Sequence, residues 1–210
     1  MSLLRLSFSG LALLLTLFAS SGAWAGGSHA YLLRGIFNVS VGLDALAQKL
    51  NRLGIRSTVY GHGESGSVAA EAIRDYRGHK VSSIILIGHS LGAGGVVSVA
   101  EQLNMAGVPV SLLISLDPAF NLAVPANVRR AVNFYISGSG LPMAAGPGFR
   151  GSLQNINLSG VPGMDHMAIQ ATAAMHRRMI GYVAGSAGGA RAGAVPRGLK
   201  PDKVEPSGAS

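Results

Sequence analysis

The stretch SSIILIGHSLG, residues 82–92, decides the fold. Its first seven residues form the most uniformly apolar run after residue 25, and such runs are typical of a strand that is buried on both faces of a sheet. The chain then turns through His89-Ser90-Leu91 into a helix, which we expect over 91–106 with Gly107 as its stop. A buried strand that leads directly into a helix predicts the centre of a sheet covered by helices.

Strands and helices alternate on both sides of this stretch. Short apolar runs bounded by turn residues predict strands, and leucines that recur every three or four residues predict one face of a helix. The predicted order is strand 30–36, helix 43–53, strand 55–61, helix 67–76 with Ser67 as N-cap, strand 82–88, helix 91–106, strands 110–116, 132–137 and 155–158, and helix 166–183. This alternation predicts a doubly wound α/β domain with a mostly parallel sheet of about six strands.

The two ends of the chain differ in composition from its middle. Residues 1–25 combine Arg5, a short apolar run and the small-x-small sequence Ala23-Trp24-Ala25, a pattern typical of a secretory signal peptide. A retained anchor is the alternative, although hydroxyl residues interrupt the apolar run. Residues 185–210 are rich in Gly, Pro and Ser, which predicts a disordered tail. We therefore expect one folded domain over 26–184, exported to the periplasm or secreted, with no membrane span in its mature form.

Composition excludes several classes of protein. The chain has no cysteine, which excludes a disulfide scaffold, a thiolate metal site and a cysteine nucleophile. Its formal net charge is +8, but only 12% of the residues are charged, and no basic run is longer than two residues. Aromatic residues do not alternate with the basic ones, so we expect no nucleic-acid binding. The expected chemistry therefore depends on oxygen and nitrogen side-chain groups.

Ser90 is the candidate nucleophile. Residues 88–92 match the pattern G-x-S-x-G, which is weak on its own in a chain with 30 glycines. Its position between the apolar strand and a helix strengthens it, because a sharp turn there would raise Ser90 above the sheet. The helix that follows would direct backbone N–H groups at the same point. A serine N-cap at an ordinary turn is the alternative, but it does not explain both Gly88 and Gly92.

His166 and Asp117 are the candidate base and acid. A serine hydroxyl needs a general base, and that base is held by a carboxylate. Only His166 and His176 follow Ser90 in the sequence, and His176 falls inside the last predicted helix. Glu101 falls inside another helix, and Asp165 is better explained as an N-cap, which leaves Asp117 at the end of a strand. A turn aspartate before Pro118 and a surface histidine are the alternatives.

The order Ser90, Asp117, His166 on such a sheet resembles the α/β-hydrolase superfamily, in particular its lipase and thioesterase-like serine hydrolases. This resemblance covers about residues 30–183 and implies that Ser90 attacks the acyl carbon, His166 carries the proton and Asp117 orients the imidazole. The Leu116-Asp117-Pro118-Ala119 sequence resembles the pancreatic-type lipase arrangement, whereas other members carry the acid one strand later.

The same resemblance implies the rest of the site. Oxyanion donors would be the backbone N–H groups of Leu91 and Ile36, and His89, Phe37 and Phe120 are candidates to contact the substrate. The 48 residues between Asp117 and His166 leave little room for a lid domain, so a minimal version of the fold with an open nucleophile is expected.

We therefore expect an exported serine hydrolase that cleaves carboxylic esters of small-molecule or lipid-like substrates through an acyl-enzyme. Thioester, amide or peptide cleavage by the same triad is an alternative, and so is a non-catalytic binding module on a hydrolase scaffold. The histidines form no i, i+4 pair, and no dinucleotide or phosphate-loop fingerprint follows the first strand, so we expect no metal and no cofactor. The sequence leaves the oligomeric state open.

Overall fold

The computed structural model describes residues 26–187 of the chain. The predicted signal peptide and the predicted tail beyond residue 187 lie outside these residues. No helix within 26–187 has the length and apolar character needed to cross a membrane.

Strands and helices alternate up to residue 116, as predicted, and strands then follow one another without a helix until residue 157. The elements are β1 Gly27–Leu33, α1 Gly42–Arg52, β2 Arg56–Tyr60, α2 Ser65–Arg77, β3 Val81–His89, α3 Leu91–Met105, β4 Leu112–Leu116, β5 Ala123–Val124, β6 Arg130–Tyr135, β7 Ala144–Ala145, β8 Ser152–Asn157, α4 Ala168–Ala171 and α5 Ala173–Ala187. Short 3-10 turns at Ile36–Asn38 and His62–Glu64 follow β1 and β2.

Six strands form one parallel sheet in the order β2-β1-β3-β4-β6-β8. The apolar strand β3 lies between β1 and β4, so the prediction that it occupies the sheet's centre is confirmed. Its register places Gly88 opposite Leu33 of β1 and Ser115 of β4. Because all strands point the same way, the loops after β1, β3, β4, β6 and β8 meet at one edge, which we call the carboxyl edge.

Helices cover both faces of the sheet, which confirms the doubly wound α/β class. One core lies under α2 and α3 and includes Tyr31, Leu86 and Val96, and the other lies under α1 and α5 and includes Leu46, Ile87 and Met179. Successive residues of a strand face opposite sides. Leu86 and Ile87 therefore contribute to different cores, which explains why β3 is apolar without alternation.

The connection from β4 to β8 contains little besides strand β6. The two-residue strands β5 and β7 pair with each other outside the main sheet. Within the described residues this connection holds no helix that could form a lid. The expected minimal fold is therefore the observed one.

Two local predictions differ from the structure. Helix α2 begins at Ser65, so Ser67 lies inside its first turn, where its hydroxyl donates a hydrogen bond to the Glu64 carbonyl (3.1 Å) instead of capping the helix. The predicted helix 166–183 is two helices, because Thr172 is extended (φ −69°, ψ 146°). The second helix continues to Ala187, so the expected boundary at residue 185 falls in its last turn.

Candidate functional site

Ser90 lies at the sharp turn between β3 and α3, at the carboxyl edge. Its backbone is in a strained region (φ 56°, ψ −119°), and the residue is 7% exposed. The turn depends on two glycines: a Cβ on Gly88 would overlap the Gly92 carbonyl, and a Cβ on Gly92 would overlap the Leu33 carbonyl. No other residue type fits either position, so the structure explains both glycines of the motif.

His166 and Asp117 form a hydrogen-bonded pair at the same edge. The Nδ1–H of His166 donates to Oδ2 of Asp117 at 2.6 Å, across 49 residues of sequence. Asp117 follows β4 with a positive φ of 48°, and it is fully buried, whereas the His166 side chain is 35% exposed. With Nδ1 occupied by this donation, Nε2 of the neutral ring is the atom left to accept a proton.

Three donors hold the Asp117 carboxylate in place. Besides His166, the Ile136 N–H donates to Oδ1 (2.8 Å) and the Ser139 hydroxyl donates to Oδ2 (2.6 Å). Gly140 closes this pocket, because a Cβ at that position would overlap Oδ1 of Asp117. The carboxylate therefore has a single orientation, and it directs the imidazole of His166.

Backbone contacts bring Ser90 to this pair. The Ser90 N–H donates to the carbonyl of Leu116, the residue before Asp117, at 2.9 Å. The neighbouring His89 ring lies 4.7 Å, centre to centre, from the His166 ring. Within residues 26–187 no hydrogen bond joins the Ser90 hydroxyl to His166. Such bonds are often long in free enzymes and shorten when a substrate binds.

His89 is buried beneath the site instead of lining a surface that a substrate could reach, contrary to the sequence expectation. It is 1% exposed, and its Nε2–H donates to the carbonyl of His166 at 2.7 Å. Its Nδ1 accepts from the Ser40 hydroxyl at 2.7 Å, and that hydroxyl accepts from the Gly35 N–H at 2.9 Å. Burial lowers the pKa of His89 to about 4, which keeps the ring neutral for this pair of bonds.

This arrangement makes His89 a connector between two loops. Through Ser40 it holds the loop after β1, and through the His166 carbonyl it holds the loop that carries the candidate base. The loop after β1 also touches the nucleophile directly, since a Cβ on Gly35 would lie 3.1 Å from Cβ of Ser90.

The two expected oxyanion donors each begin a helical turn. Leu91 is the first residue of α3, and Ile36 is the first residue of the 3-10 turn after β1. Backbone N–H groups at such positions have no acceptor within their own helix. The strands β1 and β3 are neighbours, so both groups lie at the carboxyl edge, as Ser90 does. The Arg34 guanidinium anchors the loop after β1, which carries Ile36, through an ion pair with Asp44 (2.5 Å).

Exposed apolar side chains surround this edge. Phe37 is 81% exposed and Phe120 is 58% exposed, so both expected substrate contacts are accessible. Ten large apolar side chains are exposed within residues 26–187, and eight of them lie in the loops after β1, β4, β6 and β8. We call these eight the apolar rim: Ile36, Phe37, Val39, Val41, Phe120, Leu141, Val161 and Met167.

The other residues considered in the sequence have structural roles. His176 is buried, and it accepts from the Lys49 ammonium (2.8 Å) and donates to the Gln170 carbonyl (2.9 Å). Asp165 accepts from the N–H groups of Met167 (2.8 Å) and Ala168 (2.7 Å), which confirms that it caps a helix.

The sequence analysis did not identify Ser40 and Ser139, which hold His89 and Asp117. Both follow a strand at the carboxyl edge, and that position is the one signal that could have identified them.

Comparison with known proteins supports the fold. No protein-family model and no curated protein sequence matches the chain. Among solved structures it is similar to the type II thioesterase BorB from the borrelidin biosynthetic cluster (11% identity, 76% of this chain and 92% of that chain, TM-score 0.50). It is also similar to human thioesterase 2 (10% identity, 78% and 97%, TM-score 0.52) and to the product of Listeria innocua gene lin2722 (11% identity, 75% and 94%, TM-score 0.53). The chain therefore has the α/β-hydrolase fold, in a minimal form.

Proposed function

We propose that the protein is a serine hydrolase that cleaves carboxylic esters through an acyl-enzyme. One observation carries the proposal: His166 is bonded to Asp117 at 2.6 Å, beside a serine in a strained turn. A buried carboxylate, an imidazole with a free Nε2 and an adjacent hydroxyl are the groups that acyl transfer requires. A serine that only caps a helix would need neither the carboxylate nor the imidazole beside it.

The chemistry proceeds in two halves. His166 Nε2 takes the proton from Ser90 Oγ as that oxygen attacks the acyl carbon, and Asp117 stabilises the resulting imidazolium. The N–H groups of Leu91 and Ile36 stabilise the oxyanion of the tetrahedral intermediate. His166 then returns the proton to the departing alcohol oxygen, which leaves an acyl-Ser90 ester. In the second half His166 takes a proton from water as the water attacks this ester, and it returns that proton to Ser90 Oγ as the acid is released.

The apolar rim indicates an apolar acyl group. Its eight side chains would contact an acyl chain that extends from Ser90, and burying that surface favours binding by about 25 cal/mol per Å². The connection from β4 to β8 forms no lid over the site. A series of p-nitrophenyl esters from acetate to laurate tests this part, with kcat/KM expected to rise with chain length. Equal values along the series would contradict it.

Labelling with a fluorophosphonate tests the nucleophile. We expect the wild-type protein to be labelled at Ser90 and Ser90→Ala to remain unlabelled. Ser98→Ala is the matched control, because Ser98 lies two turns further along the same helix, and this variant should label like the wild type. Equal labelling of Ser90→Ala, or no labelling of a folded wild type, would contradict the proposal. The second outcome would favour the non-catalytic binding module.

Thioester cleavage is the second candidate function. The same groups would perform it, because attack on the acyl carbon and the proton transfers are alike for both substrates. Two of the similar structures, BorB and human thioesterase 2, are named as thioesterases, and this similarity supports the second candidate. Matched oxygen esters and thioesters with one acyl chain separate the two candidates through their kcat/KM ratio. The ester proposal requires the larger kcat/KM for the oxygen ester.

We also propose that the chain is exported, on the basis of the pattern in residues 1–25. Expression of the full chain, followed by N-terminal sequencing of the protein recovered from the periplasm or medium, tests this. We expect the mature protein to begin at Gly26. An uncleaved protein retained in the membrane fraction would support the anchor instead.

A further inference from the structure

A second polar cluster lies on the face of the sheet under α2, away from the carboxyl edge. His29 projects from β1, and Glu71 and Asp75 come from α2 at i and i+4, so both carboxyl groups share one helix face. One ligand atom from each of the three residues lies within 4.8 Å of the other two. His29 is four residues before the end of β1, which places it about 13 Å along the strand from the carboxyl edge.

The cluster contains buried polar atoms without partners. His29 is fully buried, and Nδ1 of its ring has no hydrogen-bond partner within residues 26–187, while Nε2 meets the Thr58 hydroxyl at 3.0 Å. The hydroxyl of the neighbouring Tyr31, also fully buried, has no hydrogen-bond partner in the described part of the chain either. Buried polar groups are nearly always paired, so two unpaired atoms beside two carboxyl groups indicate a site that takes a ligand.

The electrostatics of the cluster suit a cation. Asp75 is 5% exposed, and the Arg56 guanidinium contacts Oδ2 of Asp75 at 3.3 Å and Oε1 of Glu71 at 3.4 Å. Both contacts are long, and the Arg56 side chain is 55% exposed, so it can move into solvent.

We propose that His29, Glu71 and Asp75 bind a divalent transition-metal ion such as Zn²⁺. One imidazole nitrogen and two carboxylate oxygens are ligands that Zn²⁺ accepts, whereas Ca²⁺ prefers six or more oxygens. Zinc–ligand bonds of about 2.1 Å place tetrahedral ligands roughly 3.4 Å apart, so the three side chains need to close by little more than 1 Å. The ion would tie β1 to α2 and has no part in the chemistry at Ser90.

Zinc titration of the purified protein, without an affinity tag and after chelator treatment, tests this proposal. Calorimetry should show one Zn²⁺ bound per chain, with a rise in the melting temperature. Asp75→Asn and Glu71→Gln should each weaken binding at least tenfold. The Glu71 variant keeps the test valid if Asp75→Asn folds poorly, because Glu71 is only partly buried.

Two further variants test whether zinc binds at this cluster and not elsewhere on the chain. Arg56→Gln should tighten zinc binding several-fold, because it removes the competing cation. His166→Ala should bind Zn²⁺ like the wild type, because His166 lies at the other site. The absence of saturable binding, unchanged binding in both carboxyl variants, or loss confined to His166→Ala would each overturn the proposal. None of these outcomes affects the assignment of Ser90, which the fluorophosphonate label tests separately.

Discussion

The two edges of the sheet differ in where the backbone is strained. Five non-glycine residues within 26–187 have a positive φ, and four of them lie at the carboxyl edge: Phe37, Asn38, Ser90 and Asp117. The fifth, His79, lies in the turn between α2 and β3, at the opposite edge. Each such conformation costs on the order of 1–3 kcal/mol and persists only where packing enforces it. The molecule therefore concentrates its strain where the candidate nucleophile and acid lie.

The two edges also differ in surface chemistry. The apolar rim surrounds the carboxyl edge, whereas five basic residues start or precede strands at the opposite edge: Arg56, Lys80, Arg129, Arg130 and Arg150. These five positive charges thus lie at the edge away from Ser90. This separation agrees with the apolar acyl group proposed above and leaves a basic, solvated surface at the opposite edge.

The largest expected effect is that of Asp117→Asn on ester hydrolysis. The amide would still accept from the Ile136 N–H but would favour the wrong tautomer of His166, so kcat should fall on the order of 10⁴-fold. Asp165→Asn is the matched control, because Asp165 only caps α4 and asparagine is also a good N-cap. Steady-state kinetics of both variants check this. Equal losses in the two would contradict the assignment of Asp117.

Gly92→Ala should cost the most stability. The added Cβ would overlap the backbone carbonyls of Leu33 and Arg34, so the free energy of unfolding should fall by about 3 kcal/mol or more. Gly66→Ala is the control within α2, where a Cβ meets nothing within 4 Å, and it should gain up to about 1 kcal/mol. Urea denaturation measures both. A stable Gly92→Ala protein would show that the turn is not held as described.

Acid should destabilise the protein through two buried histidines. Burial lowers the pKa of His29 and of His89 to about 4, from an ordinary value of 6.5. The unfolded chain therefore binds protons that the folded one does not between pH 6.5 and 4. The stability present above pH 6.5 is lost over this range, by on the order of 2–3 kcal/mol for each histidine.

Two glutamine variants connect this pH dependence to the two edges. His89→Gln and His29→Gln, compared without added metal, should each flatten the curve of unfolding free energy against pH. Only His89→Gln should also lower kcat, because His89 connects the loops of the site. Denaturation curves and kinetics at several pH values provide both measurements. An unchanged slope in both variants would refute the attribution to these rings.

The smallest expected effect is that of His79→Gly at the opposite edge. Glycine removes the strain of a φ of 57°, but it increases the freedom of the unfolded chain and removes the interactions of the His79 side chain, so these opposing changes should alter the free energy of unfolding by about 1 kcal/mol or less. The kcat/KM should equal that of the wild type. A several-fold loss of activity would mean that strain at this edge also supports the site.

Most of the sheet could be predicted because its signals are local. The apolar run of β3 and its passage into α3 predict the centre of the sheet, and the alternation of strands with helices predicts that the strands are parallel. The pairing of His166 with Asp117 followed by elimination, since few histidines and acids come after Ser90. Their catalytic roles stay predictions.

The parts that could not be predicted depend on packing between distant segments. The bond between Ser40 and His89 joins residues 49 positions apart, and no local pattern marks either of them as a partner. Ser139 reaches Asp117 only because the loop after β6 folds back over it. No glycine or proline marks the break at Thr172, so the sequence pattern predicted one continuous helix where the structure has two.

The contact between Gly140 and the Asp117 carboxylate has a practical consequence for protein engineering. Any larger side chain at position 140 would displace the carboxylate and turn the imidazole away from Ser90. Libraries that aim to alter substrate preference should therefore keep residue 140 constant. They should diversify Phe37, Phe120 and Leu141, whose exposed side chains can change size without disturbing the packed interior.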